Sequence, residues 1–405
     1  MSLATILADP QRRNVGVLAL AQALFMSVQA MGIAATPLAA YTLLGPGEKW
    51  LATVPIFLVH LGIMAIPASL LMGAIGRRAG FSLGALFGVL SGIIACAALY
   101  LQSFPLLCVA AVFQGIQAAF FWYFRLAAAD ATEPAFRAKA ISLVMAGGVL
   151  AGFLGPQVAK WSVDWLFPVT LAGVYVAMAG FSIAVLALVQ LVQIPRLGAA
   201  DRATRGRPMA EILRQPNYRV ALAASVFGYA VMTLTMSATP LAMLACGFGF
   251  ADSATVIQAH IIAMFLPSFF TGHLINRFGV LPVIATGGVI EAGCALVNLA
   301  GVEFAHFLIA NVLVGLGWNF AYIGGSTLLT TTYTPVERAK VQASHDFTVY
   351  AATASAAAVS GVLAAKAGWV VINLAALPLM VVIVSMALWL MVRERRRGAT
   401  AQPAE

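Results

Sequence analysis

Twelve times along this chain about 20 or more residues pass with hardly a charge, and about 20 apolar residues in a helix span a bilayer. The stretches lie near 14–42, 51–74, 81–101, 105–131, 139–160, 166–193, 217–245, 253–275, 280–302, 305–332, 340–365 and 369–392. Only 9% of residues are charged, 62% are hydrophobic, and the mean hydropathy is +0.95. A soluble domain carries about 25% charged residues, so this chain has too few to cover a surface facing water. A lipid-facing β-barrel would show alternating strands about ten residues long, and none is visible. The sequence therefore predicts an all-α membrane protein with 12 transmembrane helices.

Orientation follows from Lys and Arg, whose excess marks the cytoplasmic side. Alternating segments put nineteen of the 23 on one side, in the loops at Arg12 and Arg13, Arg77 and Arg78, Arg137 and Lys139, Arg277, Arg338 and Lys340, in the central linker and in the tail. The other side keeps Lys49, Lys160 and Lys366, and Arg125 falls within a segment. Both termini are expected in the cytoplasm. The net charge of +9 is spread over short loops, which argues against nucleic acid as a partner. Cys96, Cys108, Cys246 and Cys294 lie in apolar segments without CxxC spacing and read as core residues. No cleavable leader is expected, because the first apolar stretch is too long for one.

Shifted by about 200 residues, the chain repeats its own landmarks. Ala35-Thr36-Pro37-Leu38-Ala39 returns as Ala238-Thr239-Pro240-Leu241-Ala242, and His60, Met64 and Pro67 return as His260, Met264 and Pro267. Pro134, Arg137 and Lys139 are echoed by Pro335, Arg338 and Lys340. Two like halves entering from the same side predict parallel repeats with a working site between them. The expected parts are a six-helix bundle over 1–193, a cytoplasmic linker over 194–215, a second bundle over 216–393 and a basic tail over 394–405. Within the linker, Met209–Arg214 reads as a short surface helix.

The loop after segment two reads Gly73-Ala74-Ile75-Gly76-Arg77-Arg78-Ala79-Gly80, and its counterpart reads Gly272-His273-Leu274-Ile275-Asn276-Arg277-Phe278-Gly279. Both resemble the loop signature of the major facilitator superfamily, Gly-x-x-x-Asp-Arg-x-Gly-Arg-Arg. The resemblance runs over the whole chain and implies that family's fold, two pseudo-symmetric six-helix bundles. Gly73, Arg78, Gly80, Gly272, Arg277 and Gly279 then form its conformational motif, with the glycines allowing close helix approach and a sharp turn. Arg77 and Asn276 replace the family's acidic residue, so the latch attributed to it must be made otherwise. Gln114-Gly115 matches the end of the fourth-helix motif, but Ala111 stands where the family has the arginine linked with proton coupling. Gly148, Gly152, Gly155 and Pro156 resemble the fifth-helix series of antiporters, although Ala159-Lys160 replaces its last two glycines.

Polar groups inside a bilayer are costly and face protein or a water-filled cavity. Gln114, Gln117, Phe121 and Arg125 recur at helical spacing on segment four. Gln22, Phe25 and Gln29 do so on segment one, and Trp318, Asn319 and Tyr322 on segment ten, while Tyr229 stands on segment seven. The resemblance places helices one, four, seven and ten around a central cavity, which makes these residues the candidate substrate contacts. Each amide has the competing role of an inter-helix hydrogen-bond partner. Arg125 with Asp346 is a candidate switch, Glu291 a candidate proton carrier or a neutral bonded acid. His60 and His260 suit a structural hydrogen bond or a relay.

No HExxH, nucleotide-binding loop or nucleophile pair occurs, so neither an enzyme nor a cofactor is expected. The expectation is a monomeric secondary transporter in a bacterial inner membrane, with a small organic solute and the bilayer as its partners. Tyr229–Met243 and Gly317–Thr332 resemble a bacterial subgroup that includes riboflavin transporters, which implies uptake of riboflavin or a similar planar heterocycle. Proton-coupled efflux of drugs or metabolites is the alternative.

Overall fold

The computed structural model describes residues 9–65, 68–133, 136–193, 206–334 and 336–400. Helix one is α1 (Pro10–Leu43), and the described parts of helix two are α2 (Val54–Ala65) and α3 (Ala68–Ile75). Helix three is α4 (Arg77–Tyr100), and helix four is α5 (Phe104–Phe121) continued by α6 (Phe124–Asp130). Helices five and six are α7 (Arg137–Ser162) and α8 (Ala172–Val189). The short α9 (Met209–Leu213) precedes helix seven, α10 (Pro216–Ala245). Helix eight is α11 (Phe250–Phe265) with α12 (Ser268–Phe278). Helices nine to twelve are α13 (Val280–Ala300), α14 (Phe304–Leu329), α15 (Arg338–Lys366) and α16 (Gly368–Thr400).

No strand occurs among the described residues, and each of the twelve apolar stretches falls on helix. Ten helices are each long and apolar enough to cross a membrane, and α11 with α12, bent by 42°, supplies an eleventh. The remaining stretch is α2 and α3, on either side of 66–67, which lie outside the described residues. Helix eight breaks beside Pro267, where proline withholds an N–H, and its repeat counterpart Pro67 lies outside the described residues. Linker residues 194–205 and tail residues 401–405 also lie outside the described residues.

Local chemistry sets the helix starts. Asp9 caps α1 by accepting from Gln11 N at 2.9 Å, with Pro10 in the first turn. Ser103 caps α5 by accepting from Leu106 N at 3.4 Å. Before α4 and α13 the chain turns through Gly76 (φ 90°) and Gly279 (φ 91°), a backbone region that side chains disfavour.

The chain forms two compact units, Met1–Ala199 with Ser237–Ile262, and Ala200–Met236 with Ala263–Glu405. In the first, small residues let α1, α4, α5 and α8 close around Met31, Leu99, Leu107, Tyr175 and Met178, and Leu241 and Phe250 pack onto that cluster. The Tyr175 hydroxyl donates to Thr36 Oγ1 at 3.3 Å, and Gln157 donates to Gln258 at 2.8 Å. Gly62 of α2 lies against Gly115 of α5, so these two backbones touch directly.

In the second unit, Ile212 of α9 is buried with Tyr218, Ile284, Leu328 and Ile383. Asn298 of α13 donates to Asn373 of α16 at 2.8 Å inside the apolar span. Glu337, just before α15, is buried and accepts from Arg207 N (2.7 Å), Arg207 Nε (2.9 Å), Arg207 Nη2 (2.8 Å) and Thr334 N (2.9 Å). The Arg207 guanidinium, with Thr334 N assisting, holds the Glu337 carboxyl well below the ordinary carboxylate range. The end of the linker is thereby tied to the α14–α15 loop.

Candidate functional site

Within the first unit, α1 and α5 bring the predicted amides together. Gln114 Nε2 donates to Gln29 Oε1 at 3.5 Å, and Gly32 leaves the space the Gln114 amide occupies. Gln29 Nε2 is buried without a hydrogen-bond partner, so the pair has a donor to spare. Gln22 is buried about two turns away on α1. Gln117 goes elsewhere: it donates to Ser182 Oγ of α8 at 3.0 Å, over Gly88 of α4. Helical spacing put it beside Gln114, but its amide joins α4, α5 and α8.

The aromatic residues of helix four also divide. Phe121 stacks on Phe124 (4.7 Å, 15°) and meets Phe25 edge-on (5.1 Å, 80°), with Phe81 closing a fully buried set. Phe25 and Phe121 therefore pack α1, α4 and α5 together and present no exposed surface. Trp122 is half-buried, edge-on to Phe25 at 6.1 Å, and its indole N–H has no partner. Helix four loosens here, since Tyr123 N bonds back three residues to Phe120 O at 3.2 Å before α6 begins. A continuous helix would carry Arg125 on the Gln114–Phe121 face; the break at Trp122 and Tyr123 interrupts that face, and Arg125 is exposed at the start of α6.

In the second unit, α10 and α14 build an aromatic wall. Trp318 stacks on Tyr322, one turn along α14 (4.9 Å, 12°). Tyr229 of α10 stands edge-on to both, at 5.3 Å and 5.5 Å. Phe265, at the end of α11, borders Trp318 at 6.4 Å. Tyr229 and Tyr322 are half-buried, and the Trp318 indole N–H has no hydrogen-bond partner. The half-buried Tyr229 and Tyr322 can stack a planar ring, and the buried Trp318 holds an unused donor behind them.

Asn319 serves the wall from behind. It donates to Met264 O (2.8 Å) and Ser268 Oγ (2.7 Å), and accepts from the Thr271 hydroxyl (2.6 Å). Its amide is taken up by the break between α11 and α12, which leaves it a positioning residue beside Trp318. Gly325, the repeat counterpart of Arg125, packs against Ser225 and Ala221 of α10, where a longer side chain has no room.

The remaining candidates are scattered. His60 Nδ1 bonds Ile56 O at 2.8 Å, one turn back, and His260 is fully buried. Asp346 pairs with His345 Nδ1 at 3.0 Å. Glu291 is fully buried on α13.

In the loop motif, Gly73 and Gly272 have open space around them, so close approach is not what they provide. Gly80 does give it, lying against Met72. Arg78 donates to Gln190 at 3.2 Å, and Arg277 stacks on Phe278 at 5.3 Å. The first copy turns at Gly76, which makes Arg77 the first residue of α4, where it pairs with Asp130 at the end of α6. A cation at a helix start opposes the helix dipole, and Asp130 offsets it. The sequence signal for this pair is the arginine at the signature's acidic position.

The sequence profile of the Major Facilitator Superfamily matches residues 15–318 and 220–405. The chain belongs to this superfamily. Its sequence is 36% identical over 399 residues to the riboflavin transporter RfnT of Brucella anthropi, covering 98% of this chain and 99% of the relative. It is 27% identical over 365 residues to the uncharacterized MFS-type transporter YddS of Bacillus subtilis, covering 85% and 83%. Among solved structures, the human organic anion transporter MFSD10 superposes with a TM-score of 0.68 at 13% identity, covering 94% of this chain and 100% of that one. A bacterial homologue of the human lysosomal transporter Spinster, inward-facing and occupied, gives 0.69 at 18% identity over 93% and 95%. These structures share the fold with this superfamily transporter. The transporter is a multi-pass, all-helical membrane protein, with ten to eleven membrane-length spans among the described residues.

Proposed function

We propose that this transporter imports riboflavin or a similarly planar, hydrogen-bonding heterocycle by alternating access. The observation that carries the reading is the Trp318–Tyr322 stack with Tyr229 edge-on and an indole N–H left without a partner. A flavin ring offers an extended aromatic face for stacking and a carbonyl-rich edge for that N–H. The relationship to RfnT supports the same class of solute. Gln22 and Trp122 belong to the proposed contact set, and the exposed Arg125 supplies a cation for a polar substituent. The protein acts as a monomer in a bacterial inner membrane, with both termini in the cytoplasm and its basic loops against the anionic leaflet.

Rescue of a bacterial strain unable to make riboflavin tests the reading. The wild-type gene should restore growth on low external riboflavin, and saturable counterflow should appear in proteoliposomes. Trp318→Ala should abolish both, whereas Trp161→Ala, at an exposed position, should not. Failure of rescue together with raised drug tolerance would favour efflux instead.

A further inference from the structure

Glu291 is a buried acid in the described second unit whose chemistry the substrate wall does not use and whose packing does not explain it. The residue is fully buried, and neither carboxyl oxygen has a hydrogen-bond partner. No ion pair involves it among the described residues. Buried polar groups that merely build a fold are bonded, and an apolar residue of similar shape would fill the place better.

Glycines from three helices make its room. On α14, Gly317 lies under the Glu291 side chain, and a methyl group there would come 2.6 Å from Glu291 Cγ. On α10, a methyl group at Gly228 would sit 3.5 and 4.0 Å from the two carboxyl oxygens. Gly287 on α13 itself presses against Gly317 and Ala321. Gly228 and Gly317 each immediately precede a wall residue, Tyr229 and Trp318. The acid therefore sits behind the same rungs that carry the aromatic wall.

We propose that Glu291 is a reversible proton site whose occupancy is coupled to the position of the helices bearing Tyr229 and Trp318. In the arrangement described, an unpartnered carboxylate would be too costly, so the side chain is held as the neutral acid. Water must reach the carboxylate for it to form, and α10 or α14 must part from α13 to admit that water. The hydrated carboxylate then takes a proton from hydronium, leaving water, and the neutral acid returns it to water on the other side. Each ligand state of the wall biases one of these two arrangements. The titratable group beside it is Cys294, one turn along α13. The faces turned toward it by α10 and α14 are Gly228, Gly317 and Ala321, and the neighbouring rung of α13 packs on Ile383 and Val384 of α16.

This inference rests on the reading of the chain as a carrier with its wall at Tyr229 and Trp318, and two measurements separate their failures. Infrared difference spectra of the purified protein, acid minus alkaline, should show a protonated-carboxyl band that Glu291→Gln removes and Glu291→Asp shifts. A band that stays constant at every pH at which the protein remains folded, or that Glu291→Gln leaves in place, would overturn the proton site. In proteoliposomes, Glu291→Gln should lose riboflavin accumulation driven by a proton gradient while still exchanging riboflavin. Accumulation equal to wild type, or an equal loss of both, overturns the coupling. A wild type that exchanges no riboflavin sinks the substrate reading, and the infrared titration still decides Glu291.

Discussion

Replacing Gly62 by alanine tests the contact between α2 and α5. The new methyl group would come 2.5 Å from Val112 O and 2.9 Å from Gly115 Cα, whereas ordinary contact begins at 3.4 Å. Both obstacles are backbone, so no side chain can swing aside and the helices must separate by about 0.9 Å. A gap of 0.5–1 Å forfeits roughly a quarter to a half of the dispersion attraction across a contact. Overpacking of this kind costs about 1–3 kcal/mol, and a backbone clash belongs at the upper end. Alanine also returns about 0.5–1 kcal/mol of helix propensity, which leaves a net loss of about 2 kcal/mol. Gly73→Ala is the internal control: it receives the same propensity gain, and its methyl group meets nothing within 4 Å. Thermal unfolding midpoints in one detergent, at one scan rate, should therefore fall for Gly62→Ala and hold or rise for Gly73→Ala. Equal midpoints for the two variants would refute the direct backbone contact.

Asn319→Ala should destabilise the protein by about 2 kcal/mol, because the buried Thr271 hydroxyl and the Met264 carbonyl each lose a hydrogen bond, and should also shift the emission of Trp318; unchanged emission would deny Asn319 its positioning role. The Arg77–Asp130 pair is partly exposed, so a double-mutant cycle on thermal stability should return a coupling of about 1 kcal/mol or less, and a repulsive value would contradict the pairing. The lowered pKa of Glu337 contributes stability that is complete above its ordinary value of 4.5 and is lost as pH falls below it. Wild-type midpoints should accordingly drop as the buffer is taken below that pH, while Glu337→Gln starts lower at neutral pH and follows a flatter curve.

The helices were legible because a bilayer leaves the backbone no other solution, so length and apolarity alone locate them. The break in helix eight falls beside a proline the sequence shows, Pro267. Which neighbour each polar side chain meets was not. Gln114 and Gln117 read alike on a helical wheel, yet one pairs with Gln29 and the other with Ser182, because α8 packs behind α5 at that depth. Asn319 read as a substrate contact, and only the nearby helix break shows what consumes its amide. Glycine was equally ambiguous: Gly73 and Gly62 are the same letter, but one faces open space and the other a backbone. The turn at Gly76 was hidden because the two motif copies bend at different places.

One helix has a consequence for how the protein is made. α10 is continuous from Pro216 to Ala245, yet its residues up to Met236 belong to one compact unit and those from Ser237 to the other. Synthesis delivers the chain from its N-terminus, and domains usually fold in that order as they emerge. Here the earlier unit lacks Ser237–Ile262 until the ribosome has moved well into the second half. The first unit is therefore complete only once Ser237–Ile262 has been made.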